Sequence, residues 1–149
     1  MEIFIGADYK GLEKKEKILQ FLAAGNDNVT DVGVYEYREG DDFNDPAVAV
    51  AKAVRENRGA LGILICGSGH GMTIQANRFK GIRATLCDSV DSVISAKKHD
   101  DANVLCLSSD RVSDEGAIKI VDLFLKTEFE PLERRVRRMN RLDEREDYA

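Results

Sequence analysis

The run Leu61-Gly62-Ile63-Leu64-Ile65-Cys66-Gly67-Ser68-Gly69-His70-Gly71 decides how this chain folds. Its first half is apolar almost without interruption, the pattern of a strand covered on both faces. Such strands belong to parallel sheets flanked by helices. Its second half alternates glycine with small or polar residues, which ends the strand and forms a loop. A helix is expected next, over about 72–79. Cys66 is therefore the last residue of a buried strand, immediately before a glycine-rich turn.

The same alternation extends in both directions. Residues 2–7 (EIFIGA) read as a first strand, and Leu12, Ile18, Leu19, Phe21 and Leu22 recur at helical spacing through 12–24. Gly25 and Asn26 stop that helix. A second strand is expected over 29–34, then a polar, acidic loop over 35–46, with Pro46 in the first turn of a helix reaching about residue 57. Downstream, strands are expected over 82–87 and 103–107, and helices over 89–98 and 115–126. Pro131 opens a last helix, to about 146, carrying Arg134, Arg135, Arg137, Arg138 and Arg141. Five strands alternating with helices predict an α/β fold. The expected form is a Rossmann-like three-layer α/β/α sandwich, with a five-stranded parallel sheet and an extra C-terminal helix. No repeat or composition break divides the chain, so 1–149 is read as one domain.

Composition narrows the function classes. Of the 149 residues, 43% are hydrophobic and 33% charged, as in an ordinary globular domain, and a net charge of -5 argues against a nucleic-acid partner. No apolar run approaches the roughly 20 residues that cross a bilayer, so no membrane role is expected. The N-terminus runs straight into the first strand without a leader-like segment. Cys66, Cys87 and Cys106 are an odd set without metal-ligand spacing. They are expected to be reduced thiols in a cytoplasmic protein.

In open parallel sheets, ligands bind beyond the carboxyl ends of the strands, where Cys66 lies. The glycines after it allow backbone N–H groups to approach an oxyanion, and the next helix adds its positive end. The same field favours a thiolate; lowering a thiol from about 8.5 to neutrality takes about 2 kcal/mol of preferential stabilisation. Cysteines at strand ends are commonly inert and structural, a reading that suits Cys87 and Cys106 because neither precedes a glycine cluster. The loop is not a nucleotide motif. It lacks the Gly-Lys-Ser/Thr ending of a phosphate loop, and its glycines follow the third strand at the wrong spacing for a dinucleotide fingerprint.

Several segments together resemble the type B ribose-5-phosphate isomerases, within the ribose/galactose phosphate isomerase superfamily. They are Gly6-Ala7-Asp8-Tyr9, Asp42-Phe43-Asn44-Asp45-Pro46, the stretch from Ile63 to Met72, Gly81-Ile82-Arg83-Ala84, and His99-Asp100-Asp101-Ala102-Asn103-Val104-Leu105. The resemblance implies aldose–ketose isomerisation of a sugar phosphate through an enediolate, without a metal or other cofactor. Cys66 would move the proton between C2 and C1, and the donors of Gly67, Gly69 and Gly71 would hold the enediolate oxygens. Ser68 would assist, and His99 would open the sugar ring. In that family the histidine comes from the partner subunit, so a homodimer with shared sites is implied, with a tetramer as an alternative. The final helix would then pack on the partner.

Further substrate contacts implied are Asp8, Tyr9, Phe43, His70 and Asp100, with Arg111 and either Arg135 or Arg137 on the phosphate. Arg134 and Arg138, four residues apart, could substitute. The chain departs from the family pattern at Tyr9, Phe43 with an insertion beside it, Asp100, and one absent C-terminal arginine. These departures leave the chemistry in place and open two alternatives: another sugar, such as a hexose 6-phosphate, or a non-catalytic sugar-phosphate-binding module.

Overall fold

The computed structural model describes residues 1–144. Five strands form one parallel sheet: β1 (Glu2–Ala7), β2 (Asn28–Asp31), β3 (Leu61–Cys66), β4 (Ala84–Leu86) and β5 (Val104–Ser108). Their order is β2-β1-β3-β5-β4, so the glycine-loop strand is central. After β1 the chain steps outward to β2, then crosses back to β3 on the other side. That reversal opens a crevice at the carboxyl ends of β1 and β3.

The described residues form six α-helices, α1 (Leu12–Ala24), α2 (Asn44–Glu56), α3 (His70–Ala76), α4 (Val90–Asp100), α5 (Asp114–Lys126) and α6 (Glu133–Asp143); the first five cover the sheet and α6 packs against α4. Side chains alternate along each strand, so the sheet has two apolar faces. Ile3, Ile5, Ile63, Ile65, Leu105 and Leu107 pack with Ile18 and Leu22 of α1, Val93 of α4 and Phe124 of α5. Leu64, Cys66, Val104 and Cys106 pack with Val50 of α2 and Met72 of α3. The expected three-layer sandwich is the one observed, with α1, α4 and α5 on one face and α2 and α3 on the other. Among the described residues no helix is long and apolar enough to cross a membrane.

Boundaries shift where local hydrogen bonding overrides periodicity. β2 ends at Asp31 rather than 34, because Gly33 turns the chain at φ +104° and gives its N–H to Asp31 Oδ1. β4 is half the expected length, as an edge strand paired only with β5. α3 begins at His70, two residues early, after Gly69 adopts φ +81°. It stops at Ala76, where Asn77 turns its amide onto the backbone of Ala84. α4 runs on to Asp100, so His99 and Asp100 sit in a last helical turn rather than a loop. α6 starts at Glu133, after an extended Leu132, and positions 145 and 146 of the expected helix lie outside the described residues.

Candidate active site

The carboxyl ends of β1, β3 and β5 are stapled together around the glycine loop. Asp8 N–H donates to Ile65 O at 3.1 Å, and Ser109 N–H donates to Cys66 O at 2.8 Å. Gly67 O accepts from Asp110 N–H at 3.2 Å and from the buried Ser108 hydroxyl at 2.6 Å. Ser108 Oγ in turn accepts from Arg111 N–H at 3.2 Å. The turn carrying Arg111 is thus fixed against the loop that follows Cys66. Ser108 and Asp110 carry much of this junction and the Lys10 side chain lies beside Gly67, yet in the sequence only a serine closing a strand and charges beside strand ends point to them.

Cys66 is buried and points toward α2 and α3. The Gly69 N–H donates to its sulfur at 3.0 Å. The left-handed turn at Gly69 makes this approach possible, and a Cβ there would also strike Leu86 Cδ1 at 2.4 Å. The expected drop in the Cys66 pKa is not found. Burial pushes the thiol up and the Asp8 carboxylate adds to that rise; the N–H groups of Gly69, Met72 and Ser68 oppose both without prevailing. The helix whose positive end is expected to help is only seven residues long. In the resting protein Cys66 is a thiol already aimed at donors that would hold its thiolate.

Burial also raises the Asp8 carboxyl, against the Gly11 N–H and the Lys10 charge. Asp8 Oδ1 accepts from Gly11 N–H at 3.0 Å, capping the short turn Tyr9–Gly11. Cys87 and Cys106 are fully buried, and desolvation takes Cys106 up to about 12. Iodoacetamide should therefore label Cys66 alone in the folded protein. The labelling rate should climb with pH toward a midpoint above that of an ordinary thiol; a midpoint near neutrality would contradict the burial effect.

Around this centre the other expected contacts divide in two. Phe43 lies against the first turn of α3, where a Cβ at Gly71 would be 2.5 Å from its ring. Asn44 bonds Gln75 at 2.8 Å and holds the acidic loop there. Tyr9 meets Tyr37 edge to face, with ring centroids 5.0 Å apart, and Tyr37 carries no sequence signal beyond its place in that loop. Ser68 and His70 are exposed on the glycine loop, where Ser68 Oγ accepts from His70 N–H at 3.3 Å.

His99 and Asp100 stand apart from all of these. Both are exposed at the C-terminal end of α4, and His99 Nδ1 lies 3.2 Å from Ser95 Oγ. α4 packs on the α1/α5 face of the sheet, whereas Cys66 points from the other. It also runs back from the carboxyl end of β4 to the start of β5, so His99 sits at the opposite edge, roughly 15 Å of strand away. Arg135 belongs to this second group: it donates to Lys98 O at 3.4 Å and pairs with Glu130 at 2.6 Å. Arg137 pairs with Glu133 on the surface at 3.0 Å. Arg83 holds α6 to its own chain, reaching both Asp143 at 2.9 Å and Asp101 at 3.0 Å. A cleft of about 510 Å³ at the β4 edge is lined by Lys80, Arg83, Thr85, Asp100 and Leu142. It includes no residue of the Cys66 loop, so a sugar there would meet no candidate base. Among the described residues no three potential ligands gather as a metal site would require.

One chain thus carries a thiol cradle and a histidine–arginine group on opposite faces of its sheet. A family model described as Ribose/Galactose Isomerase matches residues 3–142. A protein of Mycoplasma genitalium named "Probable ribose-5-phosphate isomerase B" is 46% identical over 129 residues, 86% of this chain and 85% of that protein. The crystal structure of ribose-5-phosphate isomerase B from the same organism, with bound ribulose 5-phosphate, superimposes with a TM-score of 0.91. It is 44% identical and covers 95% of this chain and 93% of that one. A ribose 5-phosphate isomerase from Thermotoga maritima also gives a TM-score of 0.91 at 39% identity, with 97% and 98% covered.

Proposed function

The chain belongs to the ribose/galactose isomerase family, and on that premise we propose that it interconverts ribose 5-phosphate and ribulose 5-phosphate through an enediolate. The observation that carries this reading is the Cys66 sulfur, held 3.0 Å from the Gly69 N–H at the carboxyl end of the central strand. As a thiolate it takes the proton from C2 and returns it at C1, while a hydroxyl proton passes from O2 to O1. The N–H groups of the 67–71 loop face the oxygens on which charge builds, and the Ser68 hydroxyl assists them. Asp8, Tyr9, Phe43 and His70 shape the sugar pocket. Arg111 takes the phosphate.

His99 serves in ring opening, a step in which an imidazole can act as general acid or base. Because it faces away from the Cys66 of its own chain, it acts on a sugar held by a second copy. The working unit is then at least a homodimer with two shared sites. Asp100 and one of Arg135 or Arg137 arrive with that histidine. Three buried free thiols suit a reducing, cytoplasmic setting.

The test is a coupled assay of the purified protein on ribose 5-phosphate and on hexose 6-phosphates. Ribose 5-phosphate should be preferred by about tenfold or more in kcat/KM, the order of discrimination a change of one carbon allows. Preference for a hexose phosphate would overturn the substrate, and no turnover of either would overturn the reaction.

A further inference from the structure

Lys10 occupies a position to which neither motif nor periodicity assigns a role. Its stem lies across Gly67: a Cβ at Gly67 would meet Lys10 Cδ at 2.9 Å, Lys10 Nζ at 3.6 Å and Asp110 Oδ2 at 3.3 Å. This contact places the ammonium over the residue that follows Cys66, where the ends of β1, β3 and β5 converge. The Asp110 turn is pinned to the same glycine by its N–H, and the next residue on it is Arg111.

Lys10 makes no ion pair among the described residues, whereas Arg135 and Arg137 are each engaged by a glutamate of their own chain. An exposed ammonium with a packed stem, beside a glycine loop and next to an arginine turn, is a receptor for an anion arriving at the crevice. Asp8 and Asp110 put acidic groups at this mouth, and a cation beside them offsets their repulsion of an arriving dianion.

We propose that Lys10 binds the phosphate group of the sugar phosphate, acting with Arg111, so that one subunit holds a cationic pair at its own cradle. The inference rests on the isomerase reading and adds to it a specificity-determining residue. Lysine suits the position as a mobile point charge that can reach an oxyanion from more than one direction. Serving phosphate, Lys10 governs substrate affinity. Serving Cys66 instead, it would govern the acidity of the thiol, and the two roles separate in experiment.

Wild type, Lys10→Met and Lys10→Arg should be compared in steady-state turnover of ribose 5-phosphate and in calorimetric binding of inorganic phosphate. Met should raise KM and weaken phosphate binding by about 10- to 100-fold, the range for losing one charge-assisted hydrogen bond. Turnover at saturation should change by less than about threefold, and Arg should restore most of both losses. The pH midpoint of Cys66 alkylation should stay where it is. Unchanged KM and phosphate affinity in Lys10→Met, or a displaced alkylation midpoint with KM unchanged, would overturn the proposal. Wild-type protein that bound phosphate through Lys10 yet turned over no sugar phosphate would defeat the isomerase reading alone.

Discussion

Replacing Cys66 with alanine should lower kcat for ribose 5-phosphate by about a thousandfold, the middle of the range for removing a positioned general base. The fold should survive, because only the sulfur leaves the α2/α3 face of the core. The main local cost is the Gly69 N–H, which loses its acceptor in a buried position, worth about 1–3 kcal/mol. Cys66→Ser separates the two effects. It returns an acceptor to that N–H, yet its hydroxyl is far too weak an acid to supply the base, so stability should recover without activity. Exchange of the substrate C2 proton with solvent gives the sharper readout, since it follows proton removal directly. Exchange in Cys66→Ala within about tenfold of wild type would show that another group is the base.

The second large effect concerns His99. His99→Ala should lower turnover of the closed sugar by about a hundredfold or more. The imidazole is exposed, bonds only Ser95 among the described residues, and supports no core packing. Unfolding therefore cannot account for the loss. What separates this residue from Cys66 is the sheet itself: α4 packs on one face and the thiol points from the other. A local hinge cannot bring them together without taking apart a face that includes Val93, Phe124 and Leu107. The proposed remedy is a second chain, which lays its α4 end over the Cys66 cradle of the first.

Much of the fold is legible in the order of residues alone. The unbroken apolar run 61–66 announces a central parallel strand, and the alternation of periodicities predicts the layers. What periodicity does not supply is the fine placement of ends, because single side chains decide them. Asn77 stops α3 by bonding Ala84, and Gly69 starts it early by turning left-handed. The acidity of Cys66 is misread from sequence because a glycine loop advertises its donors there, whereas the burial and the Asp8 charge that outweigh them are tertiary facts. Lys10 is invisible for a related reason. Its importance lies in crossing Gly67, a residue far from it along the chain. The placing of Cys66 and His99 on opposite faces is likewise a property of sheet topology, which the sequence order of strands leaves open.

The measurement that tests the two-chain site most directly uses two inactive variants together. Cys66→Ala and His99→Ala should be co-expressed, and the mixed protein assayed on ribose 5-phosphate against each variant alone. A hybrid pair holds one complete site, built from the Cys66 of one chain and the His99 of the other. Random pairing in a two-fold assembly should therefore restore about a quarter of wild-type activity. Activity no greater than the sum of the two variants would place Cys66 and His99 in separate functions and contradict the shared site.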